Sequence, residues 1–597
     1  MTVCWPLQLS YECLEPRPLS EVHFQVRGEQ YPLSSPEPTV QLDNGSVIGL
    51  TDDDGRTNSF RGLRYAKPPV AEWRFQKPQA IDKYTGVTDA TSFGNTCYNV
   101  TDGVADPTKM PSWVTQEMKD FLQVFNHLAP GMTFSEDCLN LDVIVPATGV
   151  SPGHKLPVVV YIPFSAFMFS GSTGVDGRKM VKRSIELGEP IIFVALNHRL
   201  YQAFGFLPGQ EALDNKIGNL GLYDQRQALR WIHSYIPQFG GDEGRVTLLG
   251  LSAGGVSAAS HMIANNGDSE QLYHGVWAES GAIQPVGWMN ESSAQSTYSN
   301  FVKAVCGDDV DVNHALPCLR NGSVEAIREA AKQGAWQPLV DGEFLKDYPQ
   351  HLHSSGAVAP VPIVAGNANE EGALFAADFI ALPGPWNYST AEGVKNIIKL
   401  VYYPDISDSD LNILIHERYP DDPELGVPYG TGDNYQHVKG WKRLASLLGD
   451  IATDAVRRKF VQTHSMHGYN DTWSYSKCSY IVPLPSFTER SFAVYRRHNI
   501  TGFGCTHGSE IDNMYEGGDM ADRLIWFANN FNPNRDTAIV EWPKYKYVKP
   551  NPTQPNPPEP TLLEFSASDT LRLIPDTYRE HALELVMRLN SEHPWPV

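Results

Sequence analysis

The residues best suited to chemistry lie in the segment RVTLLGLSAGG, which spans positions 245–255. Its β-branched, apolar residues predict a strand that ends at Gly250, and the small residues after Ser252 lead into a helical pattern. A Gly-x-Ser-x-Gly motif between a strand and a helix forms a sharp turn from which the serine hydroxyl protrudes. The N-terminus of that helix would direct N–H groups at a developing oxyanion. The segment therefore predicts Ser252 as a nucleophile.

A serine hydroxyl is a weak nucleophile until a base removes its proton, so a histidine and an orienting carboxylate must accompany it. In α/β-hydrolases the three residues follow along the chain in the order serine, acid, histidine. Glu370 and Glu371 follow the apolar run 361–368, at the carboxyl end of a predicted strand, where the sites of open α/β sheets form. His507 lies late in the chain in the small-residue loop GFGCTHGS. His507 is the candidate base, and either glutamate is a candidate acid.

Short, β-branched runs bounded by turn residues predict the sheet that must position these side chains. Because the runs are apolar on both faces, they indicate parallel strands covered by helices. Between two of them, the stretch 219–239 places Leu222, Leu229 and Ile236 on one helical stripe. Alternating strands and helices predict a doubly wound α/β fold with a large, mostly parallel central sheet. The four clearest strand runs are 156–164, 190–200, 245–252 and 361–368.

Other features describe the outer parts of the fold. Alternating apolar residues around the turn Asn44–Gly45 predict a hairpin, and so a small antiparallel sheet near the N-terminus. The Pro-rich stretch 548–561 predicts an extended surface loop. Since nothing in the sequence marks a domain boundary, we predict one domain over residues 1–597.

The composition excludes several functional classes. Hydrophobic residues make up 41% of the 597 residues and charged residues 19%, which is typical of a chain that builds a core rather than of a disordered one. Asp and Glu number 69 against 47 Lys and Arg, a formal net charge of −22 that opposes nucleic-acid binding. No apolar run reaches the roughly 20 residues that a transmembrane helix needs. No ligand cluster has zinc or calcium spacing, so we expect no metal and no cofactor.

Cysteines and sequons favour an extracellular location. The eight cysteines form an even set, which is typical of disulfide-bonded secreted proteins. The first sixteen residues lack a basic region, so no signal peptide is recognised in them. Asn-x-Ser/Thr sequons make seven asparagines candidates for glycosylation: Asn44, Asn99, Asn290, Asn321, Asn387, Asn470 and Asn499.

Eight longer motifs follow one another in a fixed order along the chain. They are FRGLRYAKPP (60–69), WRF (73–75), FGNTC (93–97), EDCLNL (136–141), NLGLYDQR (219–226), FGGD (239–242), GLSAGG (250–255) and ESG (279–281). On these motifs the chain resembles the type-B carboxylesterases, the family of cholinesterases, fungal extracellular lipases and bile-salt-activated lipases. The resemblance runs from about Pro38 to about Leu589 and implies the α/β-hydrolase fold.

The resemblance also implies roles for single residues. It makes Ser252 the nucleophile, Glu371 the acid and His507 the base of a secreted serine ester hydrolase whose substrate is a small-molecule ester. Because the family also contains adhesion proteins, a non-catalytic binding protein is the alternative, and an acyltransferase with the same triad is a third possibility. The implied disulfides are Cys97–Cys138 and Cys306–Cys318. Cys478 and Cys505 are a further candidate pair that the resemblance does not imply, and Cys4 and Cys13 have no match in the family.

Two departures from the family pattern bear on catalysis. The family usually has a glutamate before the nucleophile, where this chain has Leu251. Its glycine-rich oxyanion loop appears here as PFSAF at 163–167, so Ser165 and Ala166 stand at glycine positions. Backbone N–H groups are the donors of an oxyanion hole, so Ser165, Ala166 and Ala253 can still supply three. If the loop keeps a glycine-like backbone, strain of about 1–3 kcal/mol per residue follows.

Aromatic and apolar residues near this loop indicate the substrate class. Phe164, Phe167 and Phe169, with Leu251, are expected to line an apolar pocket. Between the first cysteine pair, the stretch 112–128 has apolar residues at helical spacing. In fungal lipases of the family the disulfide-closed loop at this place, here 97–138, is a lid, although a helix packed permanently on the core fits the pattern equally well. Together these features predict a hydrophobic or aromatic ester as substrate.

Overall fold

An eleven-stranded sheet forms the centre of the computed structural model. The structure describes residues 37–99, 114–119, 133–148, 153–164, 166–169, 171–200, 203–334, 336–381, 387–436, 438–469, 471–477, 500, 502–536, 538–550, 552, 557–566 and 570–596. Its strands are β1 Thr39–Leu42, β2 Asn44–Ile48, β3 Leu50–Thr51, β4 Thr57–Arg64, β5 Thr85–Asp89, β6 Thr96–Cys97, β7 Phe134–Ser135, β8 Asn140–Pro146, β9 Leu156–Ile162, β10 Ile192–Leu196, β11 Gly241–Leu251, β12 Gly275–Glu279, β13 Ile363–Ala368, β14 Thr472–Lys477, β15 Thr561–Phe565 and β16 Leu571–Pro575.

Helices connect these strands, and all of the elements belong to the unit Pro38–Val597. The α-helices are α1 Gly177–Glu186, α2 Gln210–Asp214, α3 Leu220–Tyr235, α4 Ala253–Ile263, α5 Ser292–Cys306, α6 Leu316–Asn321, α7 Val324–Ala331, α8 Pro349–Ser354, α9 Gly372–Ala381, α10 Ala391–Val401, α11 Asp408–Asn412, α12 Trp441–Gly449, α13 Ala455–Met466, α14 Ile511–Tyr515, α15 Asp519–Asn530 and α16 Glu580–Glu592. Short 3₁₀ turns are Ala71–Trp73, Ser172–Gly174, Ile236–Phe239, Ala264–Gly267 and Pro423–Leu425, and π-helical turns are Ile413–Arg418 and Asp450–Asp454.

The order of the strands confirms the predicted mostly parallel sheet. Across it the order is β16-β15-β14-β13-β12-β11-β9-β10-β8-β4-β3. The strands from β15 to β10 pair in parallel, whereas β16 at one edge and β8, β4 and β3 at the other pair antiparallel. Parallel strands must be covered on both faces, which explains why their sequences are continuously apolar.

Alternate residues of each central strand enter the cores on opposite faces of the sheet. In β9, Val158 and Val160 belong to one hydrophobic cluster, and Val159 belongs to the other. Met262 of α4 lies in the first cluster, and Leu524 of α15 lies in the second. Helices therefore cover both faces, as the doubly wound prediction requires.

The small N-terminal sheet differs from the prediction in two respects. β1 and β2 form the expected antiparallel hairpin, but β5 adds to β2 in parallel, so the sheet is mixed. Leu42 pairs with Gly45, which moves the turn from Asn44–Gly45 to Asp43–Asn44. Asp43 takes the left-handed conformation of this turn at φ 50°. Gly45 is needed within β2 instead, because a Cβ there would lie 2.9 Å from the backbone nitrogen of Thr85 in β5.

Several sequence predictions concern segments that are only partly described. Of the stretch 112–128, only Val114–Lys119 is described, and Val114 and Met118 are buried there. The lid therefore stays a prediction, as does the single domain over residues 1–597. Of the loop 548–561, residues 551 and 553–556 lie outside the described residues. Ser165, Cys4, Cys13, Cys478, Asn470 and Asn499 also lie outside them.

The structure contains the disulfides Cys97–Cys138 and Cys306–Cys318. Cys505 is also disulfide-bonded. Of the described sequons, only Asn99 is buried, at 1% exposure, which makes it the least suitable acceptor for a glycan. Exposed sequon asparagines are Asn44, Asn290, Asn321 and Asn387.

A buried histidine makes the stability of the fold depend on pH. His464 in α13 is fully buried, and burial lowers its pKa to about 4, with a smaller effect from His467. An unfolded histidine has a pKa of about 6.5, so between these values the folded protein binds fewer protons than the unfolded chain. The free energy of unfolding therefore falls as pH drops from 6.5 to 4, by up to about 3 kcal/mol from this group alone.

We predict that His464→Gln removes this part of the pH dependence. Urea unfolding at pH 7 and at pH 4.5 should give a smaller difference for the variant than for the parent, because glutamine does not titrate. His581→Gln, on the exposed start of α16, is the control and should leave the difference unchanged. Equal differences for the parent and His464→Gln would contradict the assignment.

Candidate active site

Ser252 stands in a strained turn between β11 and α4. Its backbone has φ 56° and ψ −123°, a conformation that costs a non-glycine residue about 1–3 kcal/mol. The Ser252 N–H donates to the carbonyl oxygen of Glu279 at 2.8 Å, and its own carbonyl accepts from Val256 at 2.9 Å. A Cβ on Gly254 would lie 2.3 Å from the carbonyl oxygen of Ile162, so only glycine allows the helix to approach the strand this closely. The small residues of the motif hold Ser252 in the turn.

The structure brings the three predicted triad residues into one hydrogen-bonded chain. His507 Nε2 lies 2.8 Å from Ser252 Oγ, and His507 Nδ1 lies 2.5 Å from Glu371 Oε2. Glu371 follows β13, and His507 lies in the loop that precedes α14. Glu371 is 1% exposed and His507 5%, whereas Ser252 is half-buried. The arrangement can pass a proton from the serine to a histidine whose tautomer the carboxylate fixes.

The geometry also decides between the two adjacent glutamates. Glu370 Oε1 accepts from the Tyr429 N–H at 3.0 Å, and Glu370 Oε2 accepts from the Cys505 N–H at 2.5 Å. Glu370 therefore faces away from the imidazole and holds the backbone of the loop that carries His507. Glu371 is the carboxylate that contacts the histidine.

The electrostatics of the site favour the protonated imidazole. Burial alone would lower the pKa of His507, but the charge of Glu371 and its hydrogen bond outweigh burial, so the pKa of His507 is raised. Glu371 stays an acceptor because the Ala368 N–H and the Ser280 hydroxyl both donate to its Oε1 at 2.6 Å. A base whose pKa is raised in this way accepts the serine proton more readily.

Sequence reasoning missed two residues behind the triad. The Ser280 hydroxyl, which follows β12, contacts both Glu371 Oε1 and Glu510 Oε1. The Ser280 hydroxyl has one proton. If Ser280 donates that proton to Glu371, the hydrogen bond between Ser280 and Glu510 requires a proton on the Glu510 carboxyl. Burial, with the charge of Glu371, raises the pKa of Glu510 accordingly. The ESG motif at 279–281 could have indicated Ser280. Nothing in the sequence indicates Glu510 except its position three residues after His507.

The predicted oxyanion loop keeps a glycine-like backbone without glycine. Ala166 has φ 53° and Phe167 has φ 60°, both in the left-handed region, which costs about 1–2 kcal/mol at each. Ala166 is exposed, and Ala253 is the first residue of α4, directly after Ser252. Ala166 and Phe167 therefore carry the backbone strain that a glycine-like loop was expected to impose.

Three of the four predicted pocket residues lie in the core. Leu251 is fully buried, Phe164 is 4% exposed and Phe167 is 5% exposed, and all three belong to the hydrophobic clusters on the two faces of the sheet, so we correct their assignment to a substrate pocket. Phe167 packs edge-on against Phe206 at 5.0 Å, and Phe169 is half-buried. No sequence pattern indicates Phe375 in α9, whose ring centroid lies 4.9 Å from that of His507.

Two negative findings apply to the described residues. No group of three or more His, Cys, Asp or Glu side chains among them is arranged to hold a metal ion. No helix in the described part of the chain is long and apolar enough to cross a bilayer.

Comparison with known proteins places the chain in a family. Residues 36–557 match the model of the carboxylesterase family. A secreted triacylglycerol lipase of Gibberella zeae is 29% identical over 92% of this chain and 90% of its own length. Lipase 1 of Geotrichum candidum is 30% identical over 85% of this chain and 90% of its own. The crystal structure of Aspergillus niger EstA superposes with a TM-score of 0.72 at 23% identity, over 93% of this chain and 98% of the other.

These likenesses confirm two predictions. The fold is that of the α/β-hydrolase esterases, and the extracellular location agrees with the relative from Gibberella zeae, which is named as secreted. The family match covers most of the chain, including the segments that carry Ser252, Glu371 and His507. The chain belongs to the carboxylesterase family and is a carboxylic ester hydrolase.

Proposed function

We propose that this protein hydrolyses hydrophobic or aromatic esters through an acyl-enzyme on Ser252. The observation that carries the proposal is the continuous contact from Ser252 Oγ through His507 to Glu371, at 2.8 and 2.5 Å. A serine held in this way has a base for its proton, and the base has a buried carboxylate that stabilises the imidazolium.

In the first half of the reaction Ser252 Oγ attacks the ester carbonyl and His507 Nε2 takes its proton. Negative charge develops on the carbonyl oxygen, and the N–H groups of Ala253 and Ala166, with that of Ser165, are its proposed donors. Collapse of the tetrahedral intermediate expels the alcohol, which receives the proton from His507. Water then attacks the acyl-enzyme with the same base, and the carboxylic acid leaves.

Aromatic side chains near the imidazole support an apolar substrate. The half-buried Phe375 ring contacts His507, and the rings of Phe167 and Phe206 pack together beside the oxyanion loop. The rings of Phe167 and Phe206 are buried, so the partly exposed Phe375 ring is the surface that an acyl chain or an aromatic group would desolvate at little cost. Two relatives are named as lipases, which agrees with an apolar acyl group.

The alternatives differ in what they require of the site. A binding protein of this fold needs no reactive serine, whereas the hydrogen-bonded triad here supports a reactive one. An acyltransferase uses the same acyl-enzyme but passes the acyl group to an alcohol or amine. Hydrolysis is favoured because the family and these relatives are esterases and lipases.

Labelling with a fluorophosphonate tests the nucleophile without knowledge of the substrate. We expect the intact mass of the protein to increase by one adduct, and peptide mapping to place it on Ser252. The adduct should be absent in Ser252→Ala and slowed by about a thousandfold or more in His507→Ala, which lacks the base. Ser260→Ala, two turns along α4, is the control and should label normally. Folded protein that takes up no adduct would favour the binding-protein alternative.

The raised pKa of His507 predicts the pH dependence of the rate. The base acts in its neutral form, so kcat/KM for an uncharged ester should fall as pH drops below a pKa that lies above 6.5. Glu371→Gln removes the charge that raises this pKa. We expect the acid limb to move to lower pH and kcat to fall by about 10⁴-fold.

Glu370→Gln is the matched control for this experiment, because the two glutamates are neighbours and both are buried. Glutamine can accept only one of the two backbone hydrogen bonds of Glu370, so kcat should fall, but less than in Glu371→Gln, and the acid limb should stay unmoved. If both variants lost rate equally and shifted the pH profile alike, Glu371 would not be the triad acid.

The backbone of the oxyanion loop predicts the effect of restoring a glycine. Ala166→Gly removes about 1–2 kcal/mol of left-handed strain, while the freer unfolded chain offsets about 0.4–1 kcal/mol. Unfolding measurements should therefore show equal or higher stability, by up to about 1.6 kcal/mol, with kcat retained. Ala258→Gly, in the middle of α4, should instead destabilise by about 0.5–1 kcal/mol. A loss of stability in Ala166→Gly as large as in the control would contradict the strained loop.

A further inference from the structure

A fully buried lysine, Lys477, lies behind the triad at the end of β14. The strand pairs in parallel with β13, and this pairing places Lys477 opposite Ala368, whose N–H donates to Glu371. Lysine is almost never fully buried unless its charge is paired, because an isolated ammonium is costly to remove from water. No step of the hydrolysis described above uses this ammonium, so its place beside the site needs another explanation.

Lys477 connects the segment that carries the acid of the triad to the segment that carries the base. Its carbonyl oxygen accepts from the Asn369 N–H at 2.9 Å, in the turn that leads from β13 to Glu371. Its Nζ donates to the carbonyl oxygen of Ser509, two residues after His507. One residue therefore contacts both segments, through its backbone on one side and through its ammonium on the other.

The ammonium also lies within a buried group of carboxyls. Glu279, Glu371 and Glu510 are each at most 1% exposed, and the Ser280 hydroxyl contacts both Glu371 and Glu510. Burial raises the pKa of Glu279 and of Glu510, and the charge of Lys477 partly opposes both increases. Lys477 thus contributes positive charge at a place where the fold concentrates acidic side chains.

We propose that Lys477 is a positioning residue of the triad, which holds the loop of His507 and offsets part of the charge of Glu371 at the imidazole. This role rests on the triad mechanism proposed above, since it acts through the same histidine. It has two parts, a hydrogen bond from Nζ to the Ser509 carbonyl and a positive charge. A neutral donor can replace the first part but not the second.

Loss of the charge should make His507 hold its proton more tightly. A nearby positive charge disfavours the imidazolium, so its removal raises the pKa of His507 further. Glu510 does not take up this change when its carboxyl already carries the proton that its contact with Ser280 requires. Because the base acts in its neutral form, the acid limb of kcat/KM then moves to higher pH.

Other titratable groups face the same place from the neighbouring elements. They are Glu279 at the end of β12, Tyr475 in β14 and Tyr515 in α14. Burial raises the pKa of each well above its usual range. Burial thus favours the neutral form of all three, and the titration of His507 remains the one that the acid limb follows.

Hydrolysis of p-nitrophenyl butyrate, an uncharged ester, by the full chain at a series of pH values tests both parts. Lys477→Gln keeps a donor but loses the charge, and should move the acid limb to higher pH by about half a unit or more. Lys477→Met loses both and should show the same shift, with kcat lower by about tenfold or more because the loop of His507 is held less firmly. Lys477→Arg keeps the charge and should leave the acid limb in place.

Lys442→Met is the matched control, because Lys442 is also buried, at 1% exposure, and its Nζ also donates to a backbone carbonyl, that of Gly432. Its acid limb should coincide with that of the parent, and kcat should fall less than in Lys477→Met. Circular dichroism checks the fold of every variant. If Lys477→Met does not fold, the acid limb of Lys477→Gln decides.

The outcomes separate this inference from the proposed function. An active parent whose acid limb is unchanged in Lys477→Gln and Lys477→Met overturns the role of Lys477 alone, as does an equal shift in Lys442→Met. A folded parent that neither hydrolyses the ester nor takes up the fluorophosphonate overturns the proposed function, and this inference with it.

Discussion

The site depends on one backbone constraint, the left-handed turn at Ser252. A residue with a side chain is strained at φ 56° and keeps that conformation only when its surroundings leave no alternative. Here the N–H of Ser252 is bonded to Glu279 of the neighbouring strand, and Gly254 brings α4 against the end of β9. Because the turn is fixed from both sides, the hydroxyl projects from the sheet and α4 begins directly beneath it, with Ala253 as its first residue.

The parallel sheet supplies the other members of the site through the order of its strands. β11, β12 and β13 are neighbours, so Ser252, Ser280 and Glu371 follow the carboxyl ends of three adjacent strands. His507 reaches them from the loop before α14, and Glu370 fixes that loop by accepting from the Cys505 N–H. The two adjacent glutamates thus act on the same histidine in different ways, one through its imidazole and the other through its backbone.

What could be predicted from the sequence was the part encoded locally. The strand runs, the nucleophile motif and the order of the triad are short patterns, and the structure brings Ser252, Glu371 and His507 together. Long-range packing accounts for what could not be predicted. The parallel addition of β5 to β2 joins segments about forty residues apart, and the shift of the turn to Asp43–Asn44 follows from that pairing.

The same limit applies to single residues of the site. Its position beside Ser252 suggests that Leu251 lines a pocket. Side chains alternate between the two faces of the sheet along β11, however, and Leu251 points into the core on the opposite face of the sheet. The contacts of Phe375 with His507 and of Ser280 with Glu510 depend on how distant segments meet.

The oxyanion loop shows how such strain can be retained without glycine. Phe167 is in the left-handed region, which costs about 1–2 kcal/mol. Its ring is 5% exposed and packs on Phe206, and burial of a phenylalanine side chain contributes about 1.5–3 kcal/mol. Packing therefore offsets the strain at Phe167, and a glycine would relieve the strain but lose the packing. Ala166 is exposed and gains no comparable burial. Its conformation is thus imposed by its neighbours, and the anchored ring of Phe167 is the neighbour best able to impose it.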